Sequence, residues 1–271
     1  MQQYQRQILL SQIGESGQNK IVQSRVLIIG AGGLGHPAAQ YLTAMGVGHL
    51  GIVDGDQIHI SNLHRQVLFE AQDIGQNKAA VLAKKISKLN PLLRVDVHAC
   101  YLNKELALRL FPDFDVILDC SDNFESKFLI NDICVLLGKP MVYAAISQFE
   151  GSVSVFWRNH GPCYRCLYAE PPKAKIQNCA EAGVVGPLPG IVGCMQALET
   201  LKILLYNANI ESDFKPLIGC LNYFNFLSNE FRSLKIKPRL NCLCQRHVFD
   251  VSEIKDIQVA QCALVGNELL L

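Results

Sequence analysis

The run RVLIIGAGGLG at residues 25–35 constrains the chain more than any other feature. Val26, Leu27, Ile28 and Ile29 form a continuous apolar stretch, the signature of a strand buried on both faces. The glycines that follow let the backbone turn sharply, and residues 33–46 read as a helix closed by glycine. A strand that ends in Gly30-Ala31-Gly32-Gly33-Leu34-Gly35 and opens a helix presents free N–H groups and a positive dipole end to an anion. The next apolar run, HLGIVD at residues 49–54, ends in Asp54. A carboxylate at that place can hold ribose hydroxyls. The pattern predicts a nucleotide-binding strand–helix–strand unit, with a purely structural glycine turn as the alternative.

Strand and helix continue to alternate. Residues 76–90 read as a helix that stops at Asn90-Pro91, residues 94–100 and 115–120 as strands, 123–137 as a helix and 140–145 as a strand. Such alternation predicts an α/β fold, a Rossmann-like, mostly parallel sheet with helices on both faces. Residues 151–157 (GSVSVFW) follow with little room for a crossover helix, so that strand is expected to be antiparallel. A Cys/Pro-rich loop at 161–179, a long helix at 187–206 and a hairpin from 218–226 and 231–236 complete the pattern. The chain is expected to divide into a nucleotide-binding half, 1–148, a second half of the same domain, 149–247, and a tail, 248–271, without an assigned role.

Composition narrows the partners. The chain has 25 Lys and Arg against 24 Asp and Glu, a formal net charge of +1, which argues against nucleic acid and against a polybasic membrane anchor. The most apolar stretch, residues 182–198, is broken by Pro187, Pro189 and glycines, and no secretory pattern opens the chain. The expectation is a cytoplasmic protein with no membrane contact. Charged residues make up 18%, below the usual share of about 25%, so part of the surface is expected to be hidden between subunits. Eleven cysteines, an odd number in a chain of this length, point to metal binding or reactive thiols before disulfides.

Three clusters carry chemistry. Ser61-Asn62-Leu63-His64-Arg65-Gln66 and Lys78 follow the ribose acid closely. Two cations there, Arg65 and Lys78, suit a triphosphate; a dinucleotide needs no such clamp, and an NAD-dependent dehydrogenase would leave both unexplained. Asp122 follows a strand end in Asp119-Cys120-Ser121-Asp122-Asn123. It can hold Mg²⁺ beside phosphates or cap the next helix. Asp56 reads as a solvated turn residue outside the site. Cys163 and Cys166 form half of a tetrahedral zinc site, and Cys242 and Cys244 supply a CxC with His247 three residues on. Cys179 precedes a helix, where a thiol is more reactive. Cys100, Cys120, Cys134, Cys194, Cys220 and Cys262 lie in apolar runs and are expected to be buried small hydrophobes.

Several blocks occur together and in one order: Tyr4-Gln5-Arg6-Gln7-Ile8, GAGGLG at 30–35, Asp54, SNLHRQ at 61–66, Gly75-Gln76-Asn77-Lys78, Asp119–Asn123, Cys163-Tyr164-Arg165-Cys166 and CAEAGVVGP at 179–187. As a set they resemble the ThiF/MoeB/HesA family of ubiquitin-activating-type sulfur-carrier adenylyltransferases over residues 4–247. The resemblance implies ATP and Mg²⁺ as cofactors and a ubiquitin-like sulfur carrier with a Gly-Gly tail as partner. The carrier's terminal carboxylate would attack the α-phosphate, giving an acyl-adenylate and pyrophosphate. It implies that Gly30, Gly32, Gly33 and Gly35 cradle the nucleotide and Asp54 binds the ribose. Asn62, Arg65 and Lys78 would grip the phosphates, Asp122 hold Mg²⁺, and Arg6 reach the ATP of the other subunit of a homodimer. It implies Zn²⁺ on Cys163, Cys166, Cys242 and Cys244, with His247 as an alternative fourth ligand because the family has CxxC where this chain has CxC. Cys179 matches a cysteine that takes the activated carrier or passes sulfur to it, and the sulfur donor would be a separate protein. A thiamine-pathway carrier of the ThiS type is slightly preferred over the small subunit of molybdopterin synthase, the MoeB-type alternative. Tyr223, Phe224 and Phe226 would line a carrier-docking groove or pack internally. A scaffold that has lost turnover is the remaining rival.

Overall fold

The computed structural model describes residues 2–172, 182–206, 214–246 and 250–256. Eight strands form one sheet: β1 (Arg25–Ile29), β2 (His49–Val53), β3 (Arg94–His98), β4 (Val116–Asp119), β5 (Met141–Ser147), β6 (Glu150–Phe156), β7 (Cys220–Asn225) and β8 (Glu230–Lys235). Their order is β3-β2-β1-β4-β5-β6-β7-β8. Neighbours from β3 to β5 pair in parallel, and β6, β7 and β8 add on antiparallel. From β1 the chain winds outward to β2 and β3, then returns to the other side of β1 for β4. The crevice between β1 and β4 is therefore the point where strand order reverses, the place where open α/β sheets bind ligands.

The helices are α1 (Gln5–Ile8), α2 (Gly14–Gln23), α3 (Gly35–Met45), α4 (Lys78–Leu89), α5 (Lys104–Leu110), α6 (Phe124–Leu137), α7 (Tyr164–Leu167) and α8 (Pro187–Tyr206). Alternate strand residues face opposite layers. Val26, Ile28, Leu50 and Ile52 share a core with Leu42 of α3, Leu82 and Ile86 of α4 and Leu204 of α8. Leu27, Ile29, Val53 and Ile117 share the other with Leu106 of α5, Ile133 of α6 and Tyr164 of α7. By length and composition α8 could cross a membrane, but two-thirds of it is buried within the protein. It lies over β5 and β6 and against α3.

The parallel half and the antiparallel extension match the sequence expectation, with element ends shifted by two residues at most. The sequence pattern gave no sign of α1, α2, α5 or α7. Residues 148–149, the expected division, form the turn between β5 and β6, inside the continuous sheet. In the tail, Ile254 is buried against the second core, and Lys104 of α5 donates from Nζ to Ile254 O at 3.0 Å. Cys194 and Cys220 are half-buried, which corrects their assignment to the core. Cys179, His247 and Cys262 lie outside the described residues.

Candidate functional site

A cleft of about 900 Å³ opens at the carboxyl ends of the parallel strands. The glycine loop forms one wall. Gly30 has φ +102°, and a Cβ there would lie 2.6 Å from Cys120 O of the neighbouring strand end, so only glycine permits both the turn and the approach. At Gly35 a Cβ would lie 2.1 Å from Gly30 O, which fixes where α3 begins. Gly32 and Gly33 border the cleft, and a Cβ on Gly32 would meet nothing nearer than the Gln66 side chain at 3.8 Å. Gly30 and Gly35 thus build the turn, Gly32 leaves room for a ligand, and Gly33 makes way for Pro189 of α8, whose Cβ would lie 3.0 Å from a Cβ there.

Asp54 stands at the end of β2. Its Oδ2 accepts from Ala31 N at 2.7 Å and its Oδ1 from Asp56 N at 2.8 Å. Burial raises its pKa; the Asp56 and Ala31 amides and the Lys78 charge pull the other way and do not cancel it. Each oxygen has a second lone pair, so the carboxylate can still accept a ligand hydroxyl.

Lys78 opens α4, whose cap is Asn77: the Asn77 side chain accepts from Ala80 N at 3.0 Å. The Lys78 ammonium pairs with Asp56 Oδ2 at 2.7 Å, and the Tyr101 hydroxyl donates to Asp56 Oδ1 at 2.6 Å. Burial pushes Asp56 up, but the hydrogen bonds from Lys78 and Tyr101 outweigh it, so its carboxyl titrates below the usual value. The same hydrogen bond pushes Tyr101 up to about 12. Asp56 is therefore half-buried and paired, not the solvated turn residue that its sequence suggests.

Arg65 lies beside the glycine loop; its Nη1 donates to Ser61 O at 2.9 Å and contacts His64 Nε2 at 2.8 Å. Arg65, Lys78 and Asp122 all line the one cleft. Asp122 is exposed and Asn123, not Asp122, caps α6, accepting from Ser126 N at 2.8 Å. Asn62 is buried, outside the cleft lining, and its Oδ1 accepts from His59 N at 3.1 Å. Arg6 is exposed on α1, away from the cleft wall.

At the cleft floor, which Lys127 helps to line, Asp119 of the Asp119–Asn123 block pairs with a lysine that has no mark in the sequence. Lys127 Nζ contacts Asp119 Oδ2 at 2.8 Å with both side chains almost fully buried, and it also donates to Ala144 O at 2.8 Å. Ser121 Oγ donates to the other Asp119 oxygen at 2.5 Å. The cleft continues along β5, β6 and β7 past Tyr143, Ser152, Tyr164 and Tyr223. Phe224 is in the core, stacks on Phe226 and meets Phe231 edge-on.

A second cluster lies apart from the cleft lining. Cys163 and Cys166, at the start of α7 and within it, meet Cys242 and Cys244, with all four sulfurs within 4.8 Å of one another. Sγ–Sγ distances are 3.5 Å for Cys163–Cys242 and for Cys166–Cys244. Four thiols converging at this spacing fit the donor set of a closed tetrahedral zinc site. Hydrogen bonds from the neighbouring thiols, led by Cys163, lower Cys166, and the bond from Cys163 likewise lowers Cys244 to about 6.

A doubly wound sheet with a glycine loop, a ribose-side acid and two cations at its switch point defines a nucleotide-binding α/β protein. A profile of the ThiF family matches residues 4–245, and the chain belongs to that family. It is 44% identical over 248 residues to the sulfur carrier protein adenylyltransferase of Thermus thermophilus, covering 89% of each chain. It is 44% identical over 239 residues to the adenylyltransferase and sulfurtransferase MOCS3 of Xenopus laevis, covering 88% of this chain and 52% of that one, so it spans about half of that relative's length. Among solved structures, Escherichia coli MccB superposes with a TM-score of 0.77 at 22% identity, over 91% of this chain and 73% of that one; this likeness concerns the fold. With family and relatives together, the chain is an adenylyltransferase.

Proposed function

We propose that the protein uses ATP to adenylate the C-terminal glycine of a ubiquitin-like sulfur carrier. The observation that carries this reading is the convergence of Arg65, Lys78 and Asp122 on a single cleft beside the glycine loop and Asp54. In the proposal Asp54 accepts from the ribose hydroxyls, and the amides of the loop face the phosphates. Arg65 and Lys78 neutralise the phosphate oxygens, while Asn62 holds the turn that presents Arg65. A carboxylate is already ionised at neutral pH, so no general base is required. The carrier's carboxylate oxygen bonds to the α-phosphorus, the bond to the β-phosphate bridging oxygen breaks, and pyrophosphate leaves with that electron pair. Rate then depends on alignment and on charge placed where it develops. The Asp122 carboxylate beside the phosphate positions is a suitable ligand for Mg²⁺, which would add positive charge there.

The extension of the cleft along β5, β6 and β7 suits an extended Gly-Gly tail, with residues 1–148 as the nucleotide half and 149–247 as the carrier-docking half. Arg6, exposed and away from its own cleft, suits a role across a homodimer. The four cysteines would hold a structural Zn²⁺ that pins residues 242–244 to α7. Cys179 would take the carrier or pass sulfur from a separate donor protein, and the cytoplasm is the proposed location. A carrier of the ThiS type is preferred, with the molybdopterin synthase small subunit as second reading.

Exchange of labelled pyrophosphate into ATP, measured with each carrier, tests the reading. Lys78→Ala should lower exchange by about 100-fold or more, and near-normal exchange would refute the assignment. Elemental analysis should find about one zinc per chain, lost in Cys166→Ser together with several kcal/mol of stability, roughly; a metal-free, equally stable protein would remove the zinc from the proposal.

A further inference from the structure

Asp56 has no part in the roles above, yet it is the residue through which Lys78 is held. The Lys78 ammonium reaches Asp56 Oδ2 at 2.7 Å, and the Tyr101 hydroxyl occupies the other oxygen at 2.6 Å. The backbone repeats the pairing: Lys78 N donates to Asp56 O at 2.9 Å, and Asn77 Nδ2 donates to the same oxygen at 3.2 Å. Tyr101 lies over Gly55, where a Cβ would come within 2.7 Å of the ring. All three side chains border the cleft.

We infer that Asp56 is a positioning residue for Lys78, and that Tyr101 fixes Asp56 for that task; the inference rests on Lys78 being a phosphate ligand. A lysine carries its charge on a flexible four-carbon stem and can point in many directions. An ammonium has three donors. Asp56 takes one and leaves two for phosphate oxygens. A carboxylate held by one oxygen can still rotate, and the Tyr101 bond on the second oxygen stops it. A cation aimed before ATP arrives needs no reorganisation as charge builds up on the departing pyrophosphate. The Lys78 side chain is only 9% exposed, so a nearby counter-charge also offsets part of the cost of burying it.

The test uses the full chain with Asp56→Asn, Tyr101→Phe and both together. Asp56→Asn should lower kcat of pyrophosphate exchange by about 10-fold or more, while the ATP dissociation constant from calorimetry stays within about threefold. The split arises because the ammonium still meets the phosphates but is no longer aligned. Tyr101→Phe should lower kcat on its own and add nothing to Asp56→Asn, since it acts through that residue. An unchanged kcat in Asp56→Asn, a loss of ATP binding as large as the loss in kcat, or a full additional Tyr101→Phe loss in the double variant overturns the inference. A second readout needs no turnover. Acylation of Lys78 by an amine-reactive ester, read on its peptide by mass spectrometry against the other lysines, should be faster in both single variants. Equal rates overturn the inference. Tyr101 is 47% exposed, so Tyr101→Phe decides the matter if Asp56→Asn does not fold. A wild-type protein that exchanges no pyrophosphate with any carrier would defeat the adenylation reading, and the labelling comparison would still decide Asp56.

Discussion

His36 shows at the residue scale how the site carries constraints that its motifs do not advertise. It sits in the first turn of α3, directly below the glycine loop, and is fully buried. Its Nδ1 lies 2.8 Å from Gly32 O; a carbonyl only accepts, so Nδ1 carries the proton. Nε2 is buried without a hydrogen-bond partner among the described residues. Burial, helped by the nearby Lys78 charge, lowers the pKa from 6.5 to about 4. The folded protein therefore keeps a neutral ring where the unfolded chain takes up a proton. Stability from this residue is complete above the unfolded value of 6.5. It falls as pH drops from there towards 4, in total by on the order of 3 kcal/mol. His36→Gln should flatten this acid limb, so that denaturant unfolding at about pH 7 and about pH 5 shows a smaller difference than in the unaltered chain; an equal difference would contradict the argument. Asp54 and the glycines could be read from sequence because backbone geometry fixes their spacing. His36, Asp56 and Lys127 could not, because a polar residue in a helix or turn looks the same whether it is solvated or paired under a loop. For Asp56 a signal did exist: an acid just past a strand end, with a lysine opening the next helix of the sheet.

At the element scale the readable parts were those whose periodicity is imposed by burial on both faces. β1 and β2 are buried along almost their whole length, with Val26 opposite Leu50 and Ile28 opposite Ile52, so both location and parallel pairing followed from pattern. α5 has only seven residues, too short for a periodicity, although Asn103, which accepts from Leu106 N at 2.8 Å, is a capping signal. α2 has no side-chain cap at all. What the pattern of α8 concealed is how closely it approaches the nucleotide loop. A Cβ on Gly193 would stand 2.4 Å from Leu34 O and 2.5 Å from Pro37 Cγ, so α8 touches the start of α3 through bare backbone. Gly193→Ala should force the two helices apart and cost about 1–3 kcal/mol in denaturant unfolding, as overpacked core substitutions do. A stability gain, as helix propensity alone would give for glycine to alanine, would mean that the contact relaxes freely.

For the whole molecule, the outer face of α8 raises the question of what covers it. Pro187, Gly190, Ile191, Cys194, Met195 and Leu198 line an apolar surface depression, with Ile191 44% and Leu198 48% exposed. Such a face on a helix otherwise buried in the core, in a chain with only 18% charged residues, suits burial against a second copy. The proposed homodimer makes a sharper prediction than mass alone. If Arg6 serves the cleft of the other subunit, Arg6→Ala and Lys78→Ala homodimers each lack one group in both sites. A mixed dimer recovers one site in which both groups are native. Random reassortment of equal amounts then restores about a quarter of full exchange activity, since half the dimers are mixed and each has one good site of two. Leu198→Asp, which places a charge in the apolar face, should yield a chain of 30.0 kDa in sedimentation and abolish the recovery. Recovery of nothing from a mixture shown to have exchanged subunits would place Arg6 in service of its own subunit, and a fully active Arg6→Ala homodimer would leave it in service of none.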